Sequence, residues 1–294
     1  MINFQPLTLK DQQLIKKFTE QFPPYSDFNF TSLWSYNTNE DFSFFLDNEK
    51  LIIQLRNYIT NKKIYSILSK KLDINTIIKI TDNENNIKQL NLVPEDSLND
   101  EIKANNNLLI TEDRDNFDYV ISTEATSVLQ GSHYDNKRQH IHQFKRLYPD
   151  CFIKISKCDN QIEHSHIRSL FDVWAAKKTG DSDTSHEKIA LNRLLNSPNL
   201  PINLIGIWDK ERLIGFTIDE KIDNYVLGHF MKADTSYRYI YDMLLFQSAS
   251  YWKNMGCHYI NYEQDLGIEG LRKTKSSWHP IKFLKKYTIT LNEI

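Results

Sequence analysis

Cysteine is scarce in this 294-residue chain, neither charge sign is in clear excess, and no apolar run is long. Cys151, Cys158 and Cys257 are an odd number without a paired framework, which speaks against a disulfide scaffold and leaves reduced thiols as the simplest reading. Cys151 and Cys158 stand too far apart for a zinc knuckle. The near pairs His140/His142 and His164/His166 lack Cys or acidic partners at ligand spacing, so no metal site is expected. With 36 basic and 38 acidic residues the formal charge is −2, and no global field draws the chain to nucleic acid. Any basic site must be local. Runs such as Leu51 to Ile53 fall far short of the roughly 20 apolar residues that cross a bilayer. The start, MINFQPLTLKDQQ, shows no charged-then-apolar leader pattern. These absences predict a cytoplasmic protein without a transmembrane segment.

What is present suits a globular protein: hydrophobic content is 40%, aromatics are 12%, and the length allows two domains of ordinary size. Leu7, Leu14, Ile15, Phe18 and Phe22 recur at helical spacing until Pro23-Pro24 stops them. An aromatic segment, 28–36, predicts a second helix. Residues 41–46, 50–58 and 63–69 then read as a three-strand meander, separated by Asp47-Asn48-Glu49 and Thr60-Asn61-Lys62. A helix from Asp73, a strand near 90–93, a helix after Pro94 and a strand over 118–122 follow. The second half repeats the order. Helices over 162–178 and 184–195, the latter with Thr184 and Glu187 at capping-box spacing, precede strands over 202–208, 213–222 and 225–231. A long helix, 237–255, is closed by Gly256 and followed by a strand over 257–262 and a last strand over 281–291. The expectation is an α+β duplication: lobes 1–122 and 151–294 joined by a helical segment, 123–150. This element order is that of GNAT-fold acyltransferases, whose sheet splays open beside the strand preceding the long helix. At fold level alone the analogy fixes no substrate.

Chemistry concentrates in NYEQDLGIEGLRKTKSSWHPIKFLKKY, residues 261–287. Glu263 and Asp265 follow a strand end. From Gly270 to Tyr287 every charged residue is basic: Arg272, Lys273, Lys275, Lys282, Lys285 and Lys286. Such a one-signed block suits an anionic ligand, or is simply a solvated helix face. In the connecting helix, Tyr134, Ile141, Phe144 and Tyr148 share a face, flanked by Arg138, His142 and Lys145. Lys137 falls inside that apolar face, either snorkelling to the surface or serving as a buried site residue.

Two stretches, this one and YVISTEATSVLQGSHYDNKRQHIHQFKRLYP (119–149), resemble the C-terminal catalytic domain of phosphatidylglycerol lysyltransferases and their soluble relatives over roughly 118–287. The second stretch is similar to that family's Gly-Leu-Arg-x-x-Lys followed by an aromatic, a proline and a basic strand. Residues 1–116 resemble it in architecture only. The resemblance implies tandem GNAT-like lobes, shared with Fem-type transferases, in which an aminoacyl-tRNA gives its amino acid to a lipid, peptide or small-molecule acceptor, with no tightly bound cofactor. The family's Arg and Lys fall on Arg272 and Lys275. An acidic-basic pair on the strand before the long helix falls near His229 and Lys232, where this chain keeps only the basic member.

Transfer from an activated ester needs an acceptor held in line, a proton relay and a cation near the developing oxyanion. Lys275 is the candidate cation and Arg272 the candidate clamp on phosphate or carboxylate. Glu263 and Asp265 could receive an ammonium or a proton, or cap the turn at Gly267. His229 is a relay or a core histidine. A CoA-dependent acetyltransferase is the alternative. It would want a glycine-rich amide cradle at the long helix, where the chain has Asp234-Thr-Ser-Tyr-Arg-Tyr-Ile-Tyr; Thr235, Ser236 and Arg238 would be its contacts. A non-catalytic binder of an anionic ligand is the third reading.

Overall fold

The computed structural model describes residues 2–81, 87–178 and 184–292. In chain order the elements are β1 (Gln5–Pro6), α1 (Gln12–Thr19), α2 (Phe30–Ser35), β2 (Ser43–Asp47), β3 (Lys50–Arg56), β4 (Lys63–Leu68), α3 (Ile74–Thr81), β5 (Gln89–Pro94), α4 (Asp100–Lys103), β6 (Leu108–Glu112) and β7 (Asp118–Ser122). There follow α5 (Thr123–Val128), α6 (Asp135–Leu147), β8 (Cys151–Lys157), α7 (Gln161–Ala176), α8 (Ser185–Leu195), β9 (Ile202–Asp209), β10 (Arg212–Ile222), β11 (Tyr225–Ala233) and α9 (Ile240–Asn254). The chain ends with β12 (Tyr259–Asn261), α10 (Glu269–Ser276), β13 (Lys282–Leu284) and β14 (Lys286–Leu291). Any continuation of α3 past Thr81 lies outside the described residues.

Two compact units result, and both are discontinuous in sequence. One comprises Met1–Tyr119, Glu263–Lys275 and Phe283–Ile294; the other comprises Val120–Tyr262 and Ser276–Lys282. The linear division at 122 and 150 therefore differs from the division by packing.

The first unit holds the meander sheet, β1-β2-β3-β4, and a three-stranded sheet, β5-β14-β6. Its hairpin turns use Asn48 and Asn61 in the left-handed conformation, φ 55° and 54°, which these side chains tolerate better than most. Ile77, Ile80, Leu90, Val93, Ile102 and Ile289 form one of its cores. The single last strand expected over 281–291 is two strands in different sheets, and β14 lies at the centre of the three-stranded one.

The second unit is built on the order β13-β7-β12-β11-β10-β9-β8. The two-residue turn Asp223-Asn224 is tight because Asp223 adopts φ 53°. Helix α9 lies close on β10: a Cβ on Gly215 would come within 3.0 Å of Ile240 Cδ1. Leu244, Leu245, Ala249 and Trp252 of α9 join Ile205, Ile214 and Val226 in its core. The strand β8 was not anticipated, since its burial alternates only weakly at the sheet edge. Thr184 precedes α8 as expected, but its side chain makes no cap bond. The partner that the capping box would use, Glu187, is bonded to Lys232 instead.

Candidate functional site

In the second unit the sheet opens. Strand β11 pairs in parallel with β12 only from Tyr225↔Tyr259 to Leu227↔Asn261, while it runs beside β10 as far as Ala233. Beyond Leu227 the β10 register shifts, Ile218 facing Phe230 and Asp219 facing Gly228, so His229 is the extra residue of a bulge. His229 is buried, and its Nε2 lies 3.0 Å from Glu220 Oε2. Glu220 was missed from sequence, although counting back from the Asp223-Asn224 turn places it diagonally across from His229. One residue away, Asp219 is buried and accepts from Thr217 Oγ1 (2.5 Å), Ser248 Oγ (2.7 Å) and Trp252 Nε1 (2.8 Å). Burial pushes its pKa up against those bonds. The carboxylate ties α9 to β10.

Lys232, three residues past His229, is nearly buried. Its ammonium sits 3.9 Å from the Trp174 ring centre and 2.8 Å from Glu187 Oε1. Tyr241, in the first turn of α9, lies in the same group, its hydroxyl pKa raised by burial in the company of Trp174 and Glu187.

The loop between β11 and α9 is filled by an anion of its own. Asp234 Oδ1 accepts the Ser236 amide (3.1 Å) and hydroxyl (2.6 Å), while Lys177 and Arg212 pair with the same carboxylate. Burial alone would raise its pKa; the Lys177 and Ser236 bonds outweigh it and hold the group at about 2. Tyr239 then enters α9 with φ 66°, a left-handed conformation costly for an aromatic residue. Arg238 stacks over the Tyr239 ring, 5.0 Å from its centre.

Helix α6 brings Lys137 to the same turn of α9. Lys137 Nζ donates to Asp242 Oδ1 (2.9 Å) and lies 4.3 Å from the centre of the Trp278 ring, so the lysine inside the apolar face is buried and paired. Arg138 turns back to Asp135 at the start of its helix and to the Leu129 and Gly131 carbonyls that precede it, and His142 is exposed.

Of the acidic and basic motif, Glu263–Lys275 and the residues from Phe283 onward belong to the first unit, and Ser276–Lys282 to the second. Arg272 donates from Nε to Asp265 Oδ2 (3.0 Å) and from Nη2 to Asp265 Oδ1 (2.8 Å) and Asp115 Oδ1 (2.6 Å). The fork expected to clamp a ligand's carboxylate or phosphate thus clamps carboxylates of the chain. Asp265 is fully buried and also accepts from Tyr119 Oη and the Gly267 amide; these bonds overcome burial and bring its pKa to about 2. Gly267 is required here: at φ 72°, a Cβ would stand 2.8 Å from Asp115 Oδ2. Glu263 takes φ 57° in the turn and gives its carbonyl to the Tyr119 amide. Lys275 is buried on α10. The structure therefore brings Arg272 and Asp265 together in one unit. It places His229, Lys232, Lys137, Arg138, His142 and Arg238 in the other.

Mixed α+β units, a bulged strand beside a splay and a long helix after it define a GNAT-like acyltransferase fold. The family model for the phosphatidylglycerol lysyltransferase C-terminal domain matches residues 96–290, and the chain belongs to that acyltransferase-like family. A conserved protein of unknown function from Bacteroides thetaiotaomicron is similar at 27% identity and a TM-score of 0.85, covering 99% of this chain and 100% of that one. The C-terminal domain of a candidate lysylphosphatidylglycerol synthetase from Agrobacterium fabrum shares the fold at 11% identity and a TM-score of 0.67, over 96% of this chain and 92% of that one. FemX does so at 8% identity and a TM-score of 0.59, over 99% and 98%. No curated protein matches the sequence.

Proposed function

We propose that this chain transfers an amino acid from an aminoacyl-tRNA to a hydroxyl or amine acceptor. The observation that supports this over CoA chemistry is Asp234. Where a CoA-using fold offers bare amides to a pyrophosphate, this chain has a carboxylate that already occupies the Ser236 amide and hydroxyl and neutralises Lys177 and Arg212. A pyrophosphate would have to displace a buried, ion-paired anion and meet its charge. The family name, with its lysyl donor and lipid acceptor, and the FemX-like fold favour the same donor class. An aminoacyl ester is already activated, so positioning and a proton route suffice and no covalent enzyme intermediate is needed. Lys232 beside Trp174 supplies a nearly buried cation in the second unit. Lys275 and Arg272 supply the family motif's pair in the first, Arg272 by holding the turn at Gly267.

The test offers the purified protein a mixed pool of charged tRNA and, separately, acetyl-CoA, with phosphatidylglycerol vesicles, short peptides and free amines as acceptors. Label moving from tRNA into an acceptor is the expected result. Thiol release from acetyl-CoA with no loss of label from tRNA would reverse the assignment.

A further inference from the structure

One histidine of the 119–149 stretch, His140, has no role in the reading above. His140 follows Lys137 by one helical turn on α6, and its Nδ1 lies 2.5 Å from Asp242 Oδ2. The other oxygen of that carboxylate holds Lys137, so one acidic side chain in the first turn of α9 grips both residues. The imidazole lies flat on the Tyr239 ring, centroids 4.3 Å apart and planes 22° from parallel. That is the same Tyr239 held at φ 66°. Carboxylate, stacking and strained backbone together fix the ring's position and orientation, as a reactive group requires. Because Asp242 accepts, the proton belongs on Nδ1 and the Nε2 lone pair faces away from the carboxylate. The side chain keeps 33% of its surface exposed, so the ring is not sealed in the core.

The position is also the right one. Asp242 follows β11 within ten residues. Its partner Lys137 lies against Trp278, and Tyr239 and Tyr262, the residue after β12, pack on the same core as Trp278. Burial first, then the Asp242 charge, raises the Tyr262 hydroxyl pKa.

We infer that His140 Nε2 is the proton acceptor for acyl transfer in the second unit, with Asp242 as its positioning residue. This rests on the aminoacyl-donor reading above. In the step, the acceptor's nitrogen or oxygen forms a bond to the ester carbonyl carbon and its proton passes to His140 Nε2. The ester bond to the ribose oxygen breaks, and that oxygen takes the proton from the imidazolium. The histidine returns to its starting state with no outside oxidant, reductant or metal ion entering the balance.

Nitrogen NMR of the histidine side chains in the intact chain reads the arrangement without any substrate. His140 is expected with its proton on Nδ1, and Asp242→Asn is expected to shift it toward Nε2; a wild-type ring protonated on Nε2 overturns the proposal. With charged tRNA as donor, His140→Ala should lose about 10²–10⁴-fold in kcat with little change in donor KM, and added imidazole should restore part of the rate. Asp242→Asn, which keeps size and packing, should lose kcat without imidazole rescue. A His140→Ala enzyme that turns over at the wild-type rate removes the histidine from the mechanism. If the wild type ignores charged tRNA but uses acetyl-CoA, the donor reading fails and the same variants, measured with acetyl-CoA, decide the role of His140. A wild type inert toward both donors overturns both readings.

Discussion

Asp265 shows how a single side chain can be read in two ways. On the sequence it is an acid at a strand end, equally suited to a ligand's ammonium or to a turn. In the structure it is fully buried, with Arg272 on both oxygens and Arg114, the Tyr119 hydroxyl and the Gly267 amide also donating to it. Its pKa of about 2 lies below the usual carboxylate range near 4. A depressed folded-state pKa contributes stability that is present above about pH 4 and lost as pH falls through about 2. Asp234, also at about 2, acts in the same window. Asp265→Asn is therefore expected to lower the unfolding free energy near neutral pH by about 2 kcal/mol and to flatten its decline between pH 4 and 2. Urea unfolding across that range checks it; an unchanged pH profile would mean that Asp265 is not held as described.

Among the elements, β14 carries the most consequential residue outside the candidate site. Lys286 is wholly buried, paired with Asp27 and with Asp118 Oδ1 at 2.7 Å, while the Ser26 amide donates to Asp118 Oδ2 at 2.8 Å. Burial would lower the Lys286 pKa, and the two carboxylates raise it; burial pushes Asp27 up against the pull of the lysine. Removing the cation alone strands two buried acids. Lys286→Met should cost about 3–5 kcal/mol, and adding Asp27→Asn and Asp118→Asn should recover much of the loss, as read by urea midpoints. On the sequence, Lys286 is one more member of a basic block. Nothing in that block says that a register break at Lys285 sends the next residue into a different sheet. The meander, the long helix and the β10–β11 hairpin were legible because turn chemistry and periodicity are local. The strands β6 and β8 were not: the partner of β6, β14, lies far along the chain, and β8 alternates only weakly at its sheet edge. The same limit hid the His140–Asp242 pair, whose members are 102 residues apart.

For the molecule as a whole, the exchange of strands between sequence halves is the governing feature. Strand β7, which closes the first half of the sequence, pairs with β12, and β14, which closes the second, lies between β5 and β6. The seven-stranded and three-stranded sheets are thus each incomplete without a strand from the other half, while the meander sheet is built from the first half alone. A polypeptide of residues 1–122 is expected not to fold cooperatively, and circular dichroism with thermal melting would show it; a sharp transition would contradict the exchanged pairing. Among the described residues no helix is long and apolar enough to cross a membrane. The formal charge of −2 means that any hold on tRNA must come from local basic groups and must weaken with salt through counterion release. The most direct measurement is equilibrium binding of a charged tRNA and of acetyl-CoA to the intact chain across a salt series. Saturable tRNA binding that falls steeply with salt, with no binding of acetyl-CoA, is the predicted result. Tight acetyl-CoA binding with tRNA left free at low salt would contradict it.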